Sequence, residues 1–425
     1  MMESRTGSKD PIGLMRGLLL VGLLASFGLA ADQIEPSPEL PETTPFDLAA
    51  LSQPLAFEWI DEQGSVRSLT YAGETYRGRP TRVFAYYATP GTLKGDRSND
   101  QNLPAVVLVH GGGGTAFREW TELWAKRGYA AVTMDLAGCR PIEGQNAHRP
   151  ENRIRLDDGG PDQSDTAKFE TIEQDVTEHW PYHAVANVIR AHSLLRSFRE
   201  VDPQQTAVTG ISWGGYLTCI VASLDNRFGA AVPVYGCGFL HENSVWKESR
   251  FEKMSPEQRE RWVRLYDPSQ YLPACRVPIL FVNGTNDFAY PLDSYMKSFS
   301  LVKSPKNIRI TVNMPHGHPP GWAPAEIGVF IDQHLQDDTP LPRIGTPAVQ
   351  NGQCGADCES ATRIVQASLH YASGSGPINK REWTTVPAMV KDAQITAALP
   401  PDASVWFLTV TDARDLTVSS EVVFE

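Results

Sequence analysis

Between Thr206 and Leu224 a short strand-like run, TAVTG, passes through Ile211-Ser212-Trp213 into an apolar stretch with helical spacing, and glycines flank the serine at 210, 214 and 215. A serine in that position must sit in a sharp, strained strand-to-helix turn, and only glycine-sized neighbours let the two arms pass without a clash. The hydroxyl then projects above a sheet edge with a helix N-terminus beneath it, where the peptide dipoles favour negative charge. Such a turn needs a parallel sheet on which to sit, so the rest of the chain has to supply one.

It does so in pattern. From Phe57 to Thr89 apolar and polar residues alternate with glycines at the bends, which predicts several short antiparallel strands. Ala105 to Val109 (AVVLV) is a continuous run suited to a strand buried on both faces. Helices are expected over Arg118–Arg127, Pro181–Phe198, Trp213–Leu224 and Ala325–Leu335. Further strands are expected over Ala130–Met134, Thr206–Gly210, Ala230–Tyr235, Pro278–Val282 and Ile308–Val312. The fold class is therefore α/β, a mostly parallel, doubly wound sheet over residues 57–337. Residues 338–346, within the aperiodic stretch Asp337 to Thr346, read as a linker. Beyond it only strand patterns remain, so residues 347–425 are expected to form a small all-β sandwich, immunoglobulin- or fibronectin-like.

The first thirty residues have the three-part layout of a secretory signal: Arg5, Lys9 and Arg16, the apolar stretch Leu18 to Leu29, then small residues. The apolar stretch is short for a membrane span. Export is the expectation, to a secreted or periplasmic location, with residues 31–56 as a flexible proline- and acid-rich leader. The 50 acidic and 38 basic residues give −12 at pH 7, which argues against a nucleic-acid partner, since such partners need cationic patches. Six cysteines permit disulfides in an oxidising compartment. Cys354 and Cys358 are close enough to clip a local loop, whereas Cys219 reads as a buried thiol in an apolar helix.

A serine nucleophile needs a base, and the base needs an orienting acid. Asp287, directly after the strand ILFVNG, is at the end of a parallel strand, where side chains point into the ligand crevice; Asp293 is the alternative. After the last parallel strand comes Met314-Pro315-His316-Gly317-His318. His316, nearer the strand, is the favoured base, with His318 the alternate. A His-x-His pair also has metal-ligand spacing, but no third ligand cluster accompanies it, so no metal is expected. His110-Gly111-Gly112-Gly113-Gly114 follows the strand AVVLV, where glycines let backbone amides approach an oxyanion. Gly112 or Gly113, with the amide of Trp213, would form the oxyanion hole. The long segment Cys139 to Glu178 should lie over the crevice, because loops of that length in a compact domain are usually functional. His241 to Gln270 reads as a second rim element.

With VLVHGGGG, GISWGG, NGTND and MPHGH in that order, the chain from about Phe57 to Leu335 resembles the α/β-hydrolase superfamily. Within it the likeness is to the prolyl oligopeptidase, acetyl xylan esterase and dienelactone hydrolase-like branch. The resemblance implies a Ser–His–Asp hydrolase acting through an acyl-enzyme without a cofactor, with Ser212 the nucleophile, His316 the base and Asp287 its orienter. Peptidase members carry a β-propeller ahead of the hydrolase domain, and too few residues precede the HGGGG strand for one. Dienelactone hydrolases proper use cysteine where this chain has Ser212. Both departures favour hydrolysis of carboxylic esters, on a small-molecule or polysaccharide substrate such as an acetylated carbohydrate. A peptidase on the same machinery is the alternative, and a catalytically silent binding protein the third.

Overall fold

The computed structural model describes residues 33–425, so the expected signal peptide lies outside the described residues. In chain order the central sheet uses β1 (Phe57–Asp61), β2 (Arg67–Ala72), β3 (Arg82–Ala88), β4 (Leu103–Val109) and β5 (Ala130–Met134). After a small hairpin, β6 (Cys139–Pro141) and β7 (Arg153–Arg155), it continues with β8 (Val201–Ile211), β9 (Ala230–Val234), β10 (Ile279–Gly284) and β11 (Lys306–Thr311). The nine strands lie in the order β1-β2-β3-β5-β4-β8-β9-β10-β11. The first three pair antiparallel and dock antiparallel on β5, and the rest are parallel. β5, β9 and β10 are buried at every residue, as strands covered on both faces must be.

The helices are α1 (Leu48–Leu51), α2 (Pro90–Lys94), α3 (Arg118–Lys126), α4 (Trp180–Ser197), α5 (Trp213–Leu224), α6 (Pro256–Tyr266), α7 (Leu292–Leu301), α8 (His318–Trp322) and α9 (Ala325–Leu335). Strand order reverses around β4, with β5 on one side and β8 on the other. The crevice at such a reversal, beyond the carboxyl ends of the strands, is where open α/β sheets bind ligands. The loops after β4 and β8 both open into it.

The segment before β1, expected to be a flexible leader, packs instead. Ile34, Phe46, Leu48 and Leu51 are buried. Phe46 stacks on Tyr182 of α4 with ring centres 5.8 Å apart, and the Ser193 hydroxyl donates to the Leu51 carbonyl at 2.9 Å. A few apolar side chains scattered among prolines suffice to dock the segment, which composition alone conceals.

After α9, Leu341 is buried and Arg414 donates to the carbonyls of Thr339 and Pro340 at 2.8 and 2.7 Å, so the linker is tied down as well. The remainder contains β12 (Arg343–Ile344), β13 (Ala348–Gln350), β14 (Gln353–Glu359), β15 (Ile364–Ser373), β16 (Thr384–Pro387), β17 (Met389–Lys391), β18 (Gln394–Ala398), β19 (Ala403–Asp412), β20 (Thr417–Ser419) and β21 (Val423–Phe424). They form two antiparallel sheets, β12-β14-β18-β17 with β13 on β14, and β16-β15-β19-β20 with β21 on β19. This is the layering of a small sandwich. Cys354 and Cys358 both lie on β14, and all six cysteines are free thiols. Four positions along an extended strand span about 13 Å, and a disulfide needs Cα atoms within about 7 Å. The expected clip is therefore ruled out by strand geometry.

Candidate active site

β8 ends at Ile211, and Ser212 turns the chain into α5 with φ 59° and ψ −116°. Positive φ on a serine is a strained conformation, of the kind that persists only where the surroundings impose it. Here the Ser212 amide donates to Val234 O at 2.9 Å, and its carbonyl accepts from Tyr216 N at 2.9 Å, opening the helix. A Cβ on Gly210 would collide with the Gly214 carbonyl, and one on Gly214 with the carbonyl of Val109. The glycines flanking the serine are thus demanded by backbone meeting backbone.

Two loops further along the sheet bring the other members. Beyond β10, Asp287 is buried, and its Oδ1 accepts from the amides of Ala289 and Tyr290 at 2.9 and 2.8 Å. That fixes the carboxylate and leaves Oδ2 for His316 Nδ1 at 2.6 Å. His316 Nε2 stands 3.0 Å from Ser212 Oγ. A carboxylate only accepts, so Nδ1 carries the imidazole proton and Nε2 presents its lone pair to the serine hydroxyl. Tyr235 stacks on the His316 ring at 4.4 Å and donates to the Pro315 carbonyl at 2.7 Å. Ser212, His316 and Asp287 therefore form one continuous hydrogen-bonded line.

The other candidates fall elsewhere. Asp293, at the start of α7, accepts from the Asn243 side chain at 2.8 and 3.0 Å and holds the 241–250 segment. His318 is brought to the glycine loop and not to Ser212. Its Nε2 accepts from the Gly111 amide at 2.9 Å, a bond that requires the neutral imidazole. Burial, with His110, His148, His316 and Arg153 nearby, drives its pKa down to about 3. His318 thus fails as the alternate base for two reasons: its lone pair is already used, and it is too acidic to hold a proton at neutral pH.

The chain turns at Gly111–Gly114, with Gly114 N donating to Gly111 O at 3.1 Å and Gly113 at φ 67°. Among the described residues, the amides of Gly112, Gly113 and Trp213 have no acceptor, and Gly112 lies against the Cδ1 edge of the Trp213 indole. Gly113 stands at the outer corner of the turn. His110 is buried beneath, its Nε2 accepting from Leu136 N at 2.9 Å and its Nδ1–H donating to Gly111 O at 2.7 Å.

The 139–178 segment borders this site, as expected of it. Phe169 packs on Trp213 with ring centres 5.9 Å apart. The ammonium of Lys168 lies over the rings of Trp213 and Trp180, at 5.1 and 5.5 Å, and burial brings its pKa down to about 8. From the 241–270 segment, Trp246 packs on Trp213 at 4.6 Å and on Tyr290 at 5.3 Å, whereas Trp262 is wholly buried beneath. Lys168, Phe169, Arg153 and Tyr290 carried no motif that would have singled them out. Only the location of Lys168, Phe169 and Arg153 in an unusually long loop pointed their way.

A strained serine after a parallel strand, in line with a histidine and a carboxylate from later strands, defines a serine hydrolase of α/β-hydrolase fold. The comparisons point the same way: residues 166–329 match the model of the prolyl oligopeptidase family. An uncharacterized peptidase, YuxL, of Bacillus subtilis is 26% identical over 280 residues. The match takes in 60% of this chain but only 37% of that relative's length. Among solved structures, the acetyl xylan esterase of Paenibacillus sp. R4 superposes with a TM-score of 0.53 at 22% identity, covering 70% of this chain and 97% of that one. Acetyl xylan esterase 1 of a Thermoanaerobacterium species gives 0.49 at 16%, covering 67% and 89%.

Proposed function

We propose that the protein is an exported serine hydrolase that cleaves carboxylic esters through a covalent acyl-enzyme. The observation that carries this reading is the line Asp287 Oδ2–His316 Nδ1 and His316 Nε2–Ser212 Oγ, at 2.6 and 3.0 Å, beside the amides of Gly112, Gly113 and Trp213, which have no acceptor among the described residues. In this reading His316 Nε2 takes the Ser212 proton as Oγ attacks the ester carbonyl. The amides of Gly112 and Trp213 receive the oxyanion, and His316 returns the proton to the departing alkoxide. Water, activated by the same imidazole, then releases the acid. Asp287, held by two amides, keeps the imidazole in the required tautomer and stabilises its charged form.

The substrate proposed is a short acyl ester, with acetyl on a carbohydrate the leading case. Trp213, Trp246, Tyr290 and Tyr235 crowd the serine and histidine and favour a small acyl group. Phe288, 55% exposed and 5.0 Å from the His316 ring, offers a flat apolar face on the open side for a sugar ring. Peptide hydrolysis is the second reading, favoured by the prolyl oligopeptidase match and the name of the curated relative. Export rests on the residue pattern before position 31, and sequencing the mature N-terminus tests it.

p-Nitrophenyl acetate and a peptide p-nitroanilide, given to the purified protein, separate the two readings. Ser212→Ala is expected to reduce ester turnover by more than about 10³-fold and to abolish labelling by a fluorophosphonate. Equal turnover by that variant would overturn the proposal, and absence of labelling in the native protein would favour a silent binding protein.

A further inference from the structure

The reaction proposed above needs the Gly112 amide held towards Ser212, yet four consecutive glycines are the least self-ordering sequence a loop can have. What orders this one lies on its outer side. Arg153, on β7 of the 139–178 segment, donates from Nη2 to Gly113 O at 2.7 Å and from Nη1 to Gly114 O at 2.8 Å. Its Nε and Nη2 also donate to Ala147 O at 3.1 and 2.8 Å, which anchors the guanidinium on its own hairpin.

The consequence follows from peptide planarity. Gly113 O shares a rigid plane with the Gly114 amide, so fixing the carbonyl fixes the N–H that closes the turn onto Gly111 O. With the turn closed, its two inner amides, of Gly112 and Gly113, have no acceptor within it, and Gly112 is the one that lies against Trp213, next to Ser212. His110 and His318 grip the first glycine of the turn from below, and Arg153 grips its last two from outside. A planar fork can span two neighbouring carbonyls; a lysine ammonium cannot do so in fixed geometry.

We propose that Arg153 is a positioning residue for ester hydrolysis, whose guanidinium presets the Gly111–Gly114 turn so that the Gly112 amide meets the developing oxyanion. The proposal rests on the serine hydrolase reading. It gives the long segment a chemical task, since among the described residues the hydrogen bonds from that segment to the glycine carbonyls come from this one side chain.

The test measures kcat and KM for p-nitrophenyl acetate with Arg153→Ala, Arg153→Lys and Arg153→Gln, alongside melting curves. Arg153→Ala is expected to lower kcat on the order of 10²-fold, with KM nearly unchanged. Lysine should recover little, glutamine part, and guanidinium chloride below denaturing concentration should restore much of the alanine variant's rate. Phenylboronic acid, which forms a tetrahedral adduct on the serine, should lose affinity in parallel with kcat/KM. An unchanged kcat overturns the proposal. So does a loss that guanidinium does not relieve and phenylboronic acid does not follow, for that is the behaviour of a merely structural tie. Ester turnover surviving in a Ser212→Ala control would instead defeat the underlying hydrolase reading, whatever Arg153 does.

Discussion

Asp287 uses its two oxygens for different purposes, and that division makes its contribution separable from its packing. In Asp287→Asn the amide oxygen can keep the bonds from Ala289 and Tyr290, which turns the NH₂ towards His316 Nδ1. The imidazole then carries its proton on Nε2 and can no longer accept one from Ser212. Ester turnover should fall on the order of 10⁴-fold with little change in melting temperature, whereas Asp293→Asn should leave turnover intact; kinetics and melting curves on both variants check this. Tyr290 poses a different question at the same spot. Its hydroxyl is fully buried and faces the Ser212 side chain, with which it interacts. Tyr290→Phe should therefore lower ester turnover more than it shifts the melting temperature, and an unchanged kcat would mean that the hydroxyl has no part in holding Ser212. Ser212, Asp287 and His316 were legible as a group because each follows a strand with its own local signature. The choice between His316 and His318 was not, since two residues of spacing look alike until the Gly111 amide is seen to claim one ring.

Elements whose sequence agrees with their surroundings were legible to the residue. The apolar run of α5 and the buried stretch of β5 begin and end where their periodicity does, at Trp213–Leu224 and Ala130–Met134. The last strand pattern of the chain forms two short strands, β20 and β21, rather than one. Ser419 turns its hydroxyl to Ile310 N at 2.8 Å, and Ser420 Oγ accepts from Leu408 N at 3.0 Å. Serines that bond across the chain compete with continued pairing, and no local pattern announces their distant partners. On β14, Cys354 and Cys358 point to the same buried face but lie too far apart to join. Maleimide labelling of the denatured, unreduced protein should count six thiols; four would restore a disulfide.

Across the whole molecule one hydrophobic core runs from Ile34 to Val422 without a break at the linker. The two layers are also joined by polar contacts: Glu326 of α9 pairs with Arg309 and accepts from Thr417 N, at 2.9 and 2.7 Å. Unfolding should accordingly be a single transition in calorimetry, and two separated peaks would contradict the shared core. Its pH dependence follows from buried histidines. Burial brings His192 and His370 down to about 4 and His318 to about 3, so between those values and about 6.5 the unfolded chain binds protons that the folded one refuses. Stability should be fully present above pH 6.5 and fall as the pH drops from there towards 4. A melting temperature flat over that range would show that these rings are charged in the fold.

The docking of Ser419 on Ile310 has a further consequence. β11 is the last strand of the parallel sheet, and an uncovered outermost strand can recruit a neighbouring molecule through its unpaired backbone groups. Here the carboxy-terminal layer occupies that flank from within the same polypeptide. It acts as a built-in terminator, so that the sheet ends at the boundary of its own chain rather than growing from one copy into the next.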